Sequence, residues 1–413
     1  MNYAAINALL CIKQDGDNMA RFKLGHVGRL QRRGFCRFGA AQVRLGLQIL
    51  CLLFLPCLAV QAGEIVVAQV APKTGPLGPN GIGNYIGAKA VFDDVNARGG
   101  IHGQKIRFVY EDDKYQPAET IRLLNLVGAR DRPVLFVNLL GSANVAAVLK
   151  DQTLEKLGVP AVGVTPGVES LRSPGSPLIF HTQAGDKLQL ERAVAHLSTV
   201  GIESLGVVYQ DNPFGHSGLA YVEDSAKRLG LKLLGRVAVK VGADDLNHAA
   251  VELKATNAQA YIMVLASNSG AAFVRDVRNS GDRTLIYGMS YVSVADVIEK
   301  AGAKAAEGVA LTQVTPNTFS EGSGIVRSFR ALMLRQAPKE VPTQLNFIGY
   351  LAARAAVDAL QRAGTSITPA TVANALKAVR IDENGYTLDF TKGNIGSSYV
   401  NIGMIDRRGR LVF

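Results

Sequence analysis

EIVVAQVAPKTGPLGPNGIGNYIGAKAVFDDVNARGG (residues 64–100) carries the pattern that decides the fold. A short apolar run, 64–70, reads as a buried strand and ends in the turn Thr74-Gly75-Pro76-Leu77-Gly78-Pro79-Asn80-Gly81. A helix is expected from about residue 84 to 97, with Ile86, Ala90, Val91 and Val95 on its inner face and Gly99-Gly100 as its stop. Strand, turn and helix in that order form the repeating unit of a parallel sheet covered by helices. Strand 105–111, helix 117–129, strand 134–137, helix 145–157 and strand 161–164 continue the pattern. After a loop at 173–177 the period restarts: helices 187–200, 217–229, 246–256 and 270–280 alternate with strands 204–209, 232–239, 260–264 and 285–287. A long helix 344–362, a shorter one 369–379, and strands 401–406 and 410–413 close the chain. Two successive series predict an α/β fold of two doubly wound lobes, with ligand chemistry outside the carboxyl ends of the strands.

Ahead of this pattern stands an apolar run, 45–60, preceded by Arg32, Arg33, Arg37 and Arg44 and followed by the small-residue site Val60-Gln61-Ala62. These are the parts of a secretory signal, so residues 1–62 are expected to be a leader, long enough in its basic part that Met19 is a possible true start. Gln48 and Pro56 interrupt the run, which is too short for a bilayer span. Cys11, Cys36, Cys51 and Cys57 all fall within the leader. The remaining 351 residues therefore exclude disulfide scaffolds, thiol catalysis and Cys-based metal sites. Phe54-Leu55-Pro56 before Cys57 does not suit lipid attachment. The leader also holds eight of the 45 Lys/Arg and two of the 34 Asp/Glu, which lowers the formal charge from +11 to +5. A dispersed excess of that size, with no basic stripe, argues against a nucleic-acid partner.

Catalytic motifs are missing. The loop 74–81 lacks both GxGxxG spacing and a Gly-Lys-Ser/Thr ending, and its prolines remove N–H donors that a diphosphate would need. Ser142 follows a strand without the second glycine of a nucleophile elbow. His102, His181, His196, His216 and His248 show no metal-ligand spacing and read as surface or capping residues. The neighbours Asp112 and Asp113 diverge rather than form an acid/base couple. No catalytic residue, metal or cofactor is expected. The turns Gly141-Ser142-Ala143-Asn144 and Thr165-Pro166-Gly167 offer instead free N–H groups and hydroxyls at helix starts, which suits a carboxylate.

The blocks Thr74-Gly75-Pro76, Asn96-Ala97-Arg98-Gly99-Gly100-Ile101-His102-Gly103-Gln104 and Glu111-Asp112-Asp113 are similar to the opening of type I periplasmic solute-binding proteins. Gly158-Val159-Pro160-Ala161, Tyr209-Gln210-Asp211-Asn212-Pro213-Phe214-Gly215, Asn279-Ser280-Gly281 and Gly349-Tyr350-Leu351-Ala352-Ala353 extend the likeness along the chain. The group it most resembles is the leucine/isoleucine/valine-binding type that serves ABC importers. The resemblance implies Rossmann-like lobes joined by a three-segment hinge, with crossovers near Gln183, 313–316 and 386–389. Lobe one would hold 63–182 plus 316–386, and lobe two 183–315 plus 387–413. It further implies a periplasmic monomer that captures an amino acid or related small carboxylate and passes it to an inner-membrane ABC permease. A sensor of the same fold and a secreted α/β enzyme are the alternative readings.

Residue by residue, the resemblance implies that Gly141, Ser142, Thr165 and Gly167 grip a carboxylate. Asn80 would stand over the ligand side chain, and Phe214 would serve as a lid from lobe two. Two places depart from the family. Leu265-Ala266-Ser267-Asn268, with Ser267, has no tyrosine where one is expected, and Tyr287-Gly288-Met289-Ser290-Tyr291 has Ser290 or its neighbour where relatives carry an acid. Either Tyr291 offers its ring face to an ammonium, or the ligand is not a simple α-amino acid.

Overall fold

The computed structural model describes residues 63–320, 322–383 and 385–413. The expected leader and its four cysteines lie outside the described residues. Strands β1 (Ile65–Val70), β2 (Ile106–Glu111), β3 (Leu135–Val137), β4 (Ala161–Val162) and β5 (Ile179–Phe180) form a sheet of order β2-β1-β3-β4-β5. Every pairing in it is parallel. All six residues of β1 are buried, because a central strand covered on both faces needs an unbroken apolar run rather than alternation. Between these strands run α1 (Gly78–Ala97), α2 (Pro117–Asp131), α3 (Ser142–Asp151) and α4 (Thr153–Leu157). The single helix expected over 145–157 is broken at Gln152, which takes a left-handed conformation at φ 56°.

The second series comprises α5 (Asp186–Thr199), β6 (Ser204–Gln210), α6 (Pro213–Leu229), β7 (Lys232–Val239), α7 (Asn247–Ala255) and β8 (Ala260–Val264). It continues through α8 (Ser267–Asn279), β9 (Leu285–Gly288), α9 (Val294–Ala301), α10 (Ala303–Ala306) and β10 (Ala310–Gln313). The chain then gives α11 (Gly324–Gln336), α12 (Gln344–Arg362), α13 (Pro369–Leu376), β11 (Arg380–Glu383), β12 (Tyr386–Asp389), β13 (Asn401–Ile405) and β14 (Leu411–Val412). The larger sheet has the order β14-β13-β10-β9-β8-β6-β7, with β13 antiparallel to both β10 and β14. The two doubly wound α/β lobes expected from the sequence are present.

Helices α11 to α13 return to the first sheet, where Phe329, Phe347, Tyr350 and Leu376 share a core with Ile65, Val67 and Phe180. The third crossover falls later than the 386–389 expected. Tyr386, Leu388 and Phe390 bury an alternating apolar face in the first lobe, and the Phe390 ring meets Phe180 edge-on at 5.2 Å. The Gly396 N–H then donates to His181 O at 2.9 Å. The chain leaves for the second sheet only over 397–400.

Helices α1 and α12 cross at backbone contact. A Cβ on Gly87 would stand 1.8 Å from Asn346 O, and one on Gly349 would stand 1.9 Å from Asn84 O. Gly87→Ala should therefore cost about 1–3 kcal/mol of stability through overpacking. The check is a urea titration, and an unchanged midpoint would show that the helices can part freely.

Candidate functional site

Both sheets point their carboxyl ends at one cavity of about 330 Å³, mouth included. The first lobe lines it with Leu77, Tyr115, Leu140, Gly141, Ser142 and Gly167, and the second with Gln210, Phe214, Ala266 and Tyr291. Each stands where the chain turns out of a strand, as winding to both sides of a sheet requires.

The β3–α3 turn is fixed from two sides. The Gly141 N–H donates to Thr165 O at 2.9 Å, and the Thr165 N–H donates to Leu139 O at 2.8 Å. Gly141 itself sits at φ 98°, and a Cβ there would lie 2.2 Å from the Tyr115 ring, so only glycine fits. The Ser142 hydroxyl accepts the Gly167 N–H at 3.1 Å. Its own proton is left to donate elsewhere. Helix α3 has Gly141 as N-cap and no side-chain cap, and α8 likewise starts uncapped after Ala266. Their first-turn N–H groups have no partner within the helix, and the helix dipoles make both ends positive. Gln210 adds a further donor. Its Oε1 accepts the Ala266 N–H at 3.1 Å, while its buried Nε2 has no partner among the described residues. The lining is thus apolar with several donors and no carboxylate.

Phe214 and Tyr291 meet edge-to-face at 5.6 Å. The Tyr291 hydroxyl donates to Asp186 Oδ1 at 2.8 Å. Asp186 is fully buried behind Gly167 and Tyr291; its N–H donates to Gly167 O at 3.0 Å, and its Oδ2 is unpartnered among the described residues. Burial pushes its carboxyl up to about 7, against the pull of the Tyr291 hydroxyl and the Arg172 guanidinium. Asp113 plays a positioning part nearby. It accepts from the Tyr115 N–H at 3.0 Å, Thr120 Oγ1 at 2.8 Å and Asn144 Nδ2 at 3.1 Å, which ties the Tyr115 loop to α3. Asp112 instead accepts from the Lys73 and Lys114 N–H groups, so the two acids do diverge.

Of the residues singled out from sequence, Gly141, Ser142, Gly167, Phe214 and Tyr291 come together on the cavity. Thr165 stands behind them, accepting from Gln183 Nε2 at 2.6 Å. Asn80 lies in the first turn of α1, where a loop was expected, and its Nδ2 donates to Tyr291 O at 3.2 Å. Ser267 does not line the cavity: its hydroxyl donates to Asp296 Oδ2 at 2.6 Å and accepts the Ser293 N–H at 2.7 Å. Ser290 lines a different cavity. His181 was expected at the surface or as a cap; it is buried, with Nδ1 2.7 Å from Val164 O, and burial lowers its pKa to about 3.

Sequence reasoning missed Tyr115, Gln210 and Asp186. Gln210 had a signal, since it closes a strand three residues before a Pro at a helix start. Tyr115 had none, because its place depends on a left-handed φ of 60°. Among the described residues no group of three His, Cys, Asp or Glu is placed to hold a metal, and no His or carboxylate hydrogen-bonds to Ser142.

Residues 64–408 match the family model described as periplasmic binding protein. The chain belongs to that family. The Leu/Ile/Val-binding protein homolog 8 of Brucella abortus is 25% identical over 373 residues, covering 84% of this chain and 90% of the relative. An extracellular ligand-binding receptor from Verminephrobacter eiseniae is similar in structure at TM-score 0.78 and 34% identity, covering 85% of this chain and 100% of the other. A substrate-binding periplasmic protein from Ralstonia solanacearum gives TM-score 0.80 and 28% identity over 84% of this chain and 99% of its own. Family and neighbours are solute-binding proteins.

Asp186 makes stability depend on pH. A folded-state pKa raised to about 7 means that the folded binding protein keeps a proton that the unfolded chain releases from about pH 4 upward. Stability from this group is whole below that window, falls as pH rises through it, and is fully lost above about pH 7. Asp186→Asn, neutral throughout, should gain denaturation midpoint relative to the parent between about pH 4 and 8. Parallel curves would show that Asp186 does not titrate there.

Proposed function

We propose that this binding protein captures a small carboxylate, an amino acid or a close relative, between its lobes outside the cytoplasm and delivers it to an ABC permease. The observation that carries the reading is the Ser142 turn: a hydroxyl with its acceptor side occupied by the Gly167 N–H, set at the uncapped start of α3 and lining an apolar cavity between the lobes. Donors without a partner and a positive helix end favour a carboxylate over a neutral or cationic group. Leu77, Leu140 and Phe214 then cover an apolar remainder. The cavity is small and mostly apolar, so a compact ligand suits it. Family membership and the Leu/Ile/Val-binding name of the Brucella relative support the same class.

Release of the ligand follows from the fold. Lining residues come from both lobes, so a ligand favours the closed arrangement only while it bridges them, and a permease that separates the lobes frees it. Because the lining has no carboxylate, the acid end of the ligand is the anchor and the amine contributes less.

Calorimetry with leucine, 4-methylpentanoate and 3-methylbutylamine separates the two ends. Binding should survive loss of the amine and fail on loss of the carboxylate; the reverse order would overturn the anchor. Ser142→Ala should weaken carboxylate ligands by about 1–2 kcal/mol, and Phe214→Ala by about 2 kcal/mol through lost apolar cover. Small-angle scattering should show compaction with any ligand that binds. A broad panel of amino acids and carboxylates giving neither heat nor compaction would sink the transport reading.

A further inference from the structure

Tyr115 reaches the ligand cavity on a loop that its neighbours hold in an unfavourable conformation. Lys114 and Tyr115, just past β2, both lie in the left-handed region, at φ 54° and 60°. Two consecutive non-glycine residues there are uncommon, and such backbone persists only where its surroundings enforce it. The adjacent acids do so. Asp112 Oδ1 accepts the Lys114 N–H at 2.9 Å and the Lys73 N–H at 2.7 Å, which ties the loop to the turn after β1. Asp113 accepts the Tyr115 N–H on one oxygen, and on the other it accepts from Thr120 of α2 and Asn144 of α3. The ring so placed lies against the β3–α3 turn. Its Cζ, which carries the hydroxyl, is 3.2 Å from where a Cβ on Gly141 would stand.

Four polar side chains belong to the cavity lining: Tyr115, Ser142, Gln210 and Tyr291. Tyr291 gives its proton to Asp186, and Gln210 Nε2 is enclosed within the wall. Ser142 accepts from Gly167 and keeps its proton. Tyr115 is half-buried, and its hydroxyl has no hydrogen-bond partner among the described residues. Burial, with the charges of Asp186 and Asp113, pushes the phenol up to about 12, so it stays a donor at neutral pH. Packing against Gly141 uses the ring alone and leaves the hydroxyl unexplained. A carboxylate accepts at both oxygens, and donors bond more strongly to an anion than to a neutral acceptor.

We propose that Tyr115 is a ligand-binding residue that selects for a carboxylate, its hydroxyl donating to one oxygen of that group and the Ser142 hydroxyl to the other. This rests on the carboxylate reading of the same site and adds a donor to it. A ligand that presents hydrocarbon at this place leaves the phenol unpaired and binds more weakly.

Calorimetry with leucine and 4-methylpentanoate on the parent and on Tyr115→Phe isolates the hydroxyl, since Phe keeps the ring against Gly141. The variant should bind both carboxylates about tenfold more weakly, with an unchanged urea midpoint. In the parent isotope-labelled at tyrosine Cζ, the resonance that Tyr115→Phe removes should shift when either carboxylate binds. Equal affinity in the two proteins, or a Cζ resonance that stays in place while a carboxylate binds, would overturn the role of Tyr115 and leave the carboxylate reading standing. No heat from the parent with any carboxylate would overturn both.

Discussion

Every helix begins with N–H groups that it cannot pair itself, and this binding protein is organised by where those groups go. On α9, α12 and α13 side chains close the account: Ser293 accepts the Asp296 N–H, and Thr343 and Thr368 form capping boxes. At the cavity, α3 and α8 begin at Gly141 and Ala266, residues with nothing to cap with. Helix α6 also starts there, but Asn212 accepts the Gly215 N–H and the helix presents the Phe214 ring instead. Unmet buried donors cost about 1–3 kcal/mol each. On the proposed reading, an anion that accepts those donors favours closure. Recognition and lobe closure would then come from the same groups.

Asp186 sits where that coupling passes through the chain. It is the first residue of α5, directly after the first crossover. Its N–H reaches Gly167 in one lobe, and its carboxylate holds the Tyr291 hydroxyl in the other. Gly167 must lack a side chain for this to occur, since a Cβ would stand 1.8 Å from Asp186 Oδ2. The carboxylate thus spans the lobes without lining the cavity. A separation of the lobes would hydrate it and lower its pKa, so the charge state of Asp186 and the position of the lobes are linked.

The lobes were legible because central strands such as 65–70 and 260–264 are buried on both faces. The strands at 232–239 and 260–264 and the long helix 344–362 have the bounds read from periodicity. Four misread helix starts share one cause. Helices expected from 84, 145, 217 and 270 begin at Gly78, Ser142, Pro213 and Ser267. Glycine, proline and serine in those turns read as loop, although Pro near a helix start is itself an N-terminal signal. These are the helix starts that surround the cavity, where small residues let a ligand approach the backbone. The features that form the site thus disguised its helices. Asn80, read as a loop residue, consequently belongs to a helix and supports Tyr291 rather than standing free. Asp186 stayed hidden for another reason: only the crossover brings it behind Gly167, and no local pattern encodes that.

The serine at position 290 shows how one turn can serve two spaces. Alternation along the chain sends Tyr291 to the ligand cavity and Ser290 to the cavity beside it. What separates the two is backbone, fixed by Gln189 at Ser290 N–H and by Asn80 Nδ2 at Tyr291 O. Gln189 also accepts from Thr312 Oγ1 at 2.8 Å, so the wall is anchored to β10 immediately before the second crossover. Asn80 anchors its other side to α1 in the opposite lobe. If the lobes part, the Asn80 contact breaks while the Gln189 contact persists, because Gln189, Ser290 and Thr312 belong to the same lobe. The two cavities therefore share a partition that is rigid on one side and breakable on the other. That asymmetry ties the position of the lobes to the Ser290–Tyr291 turn.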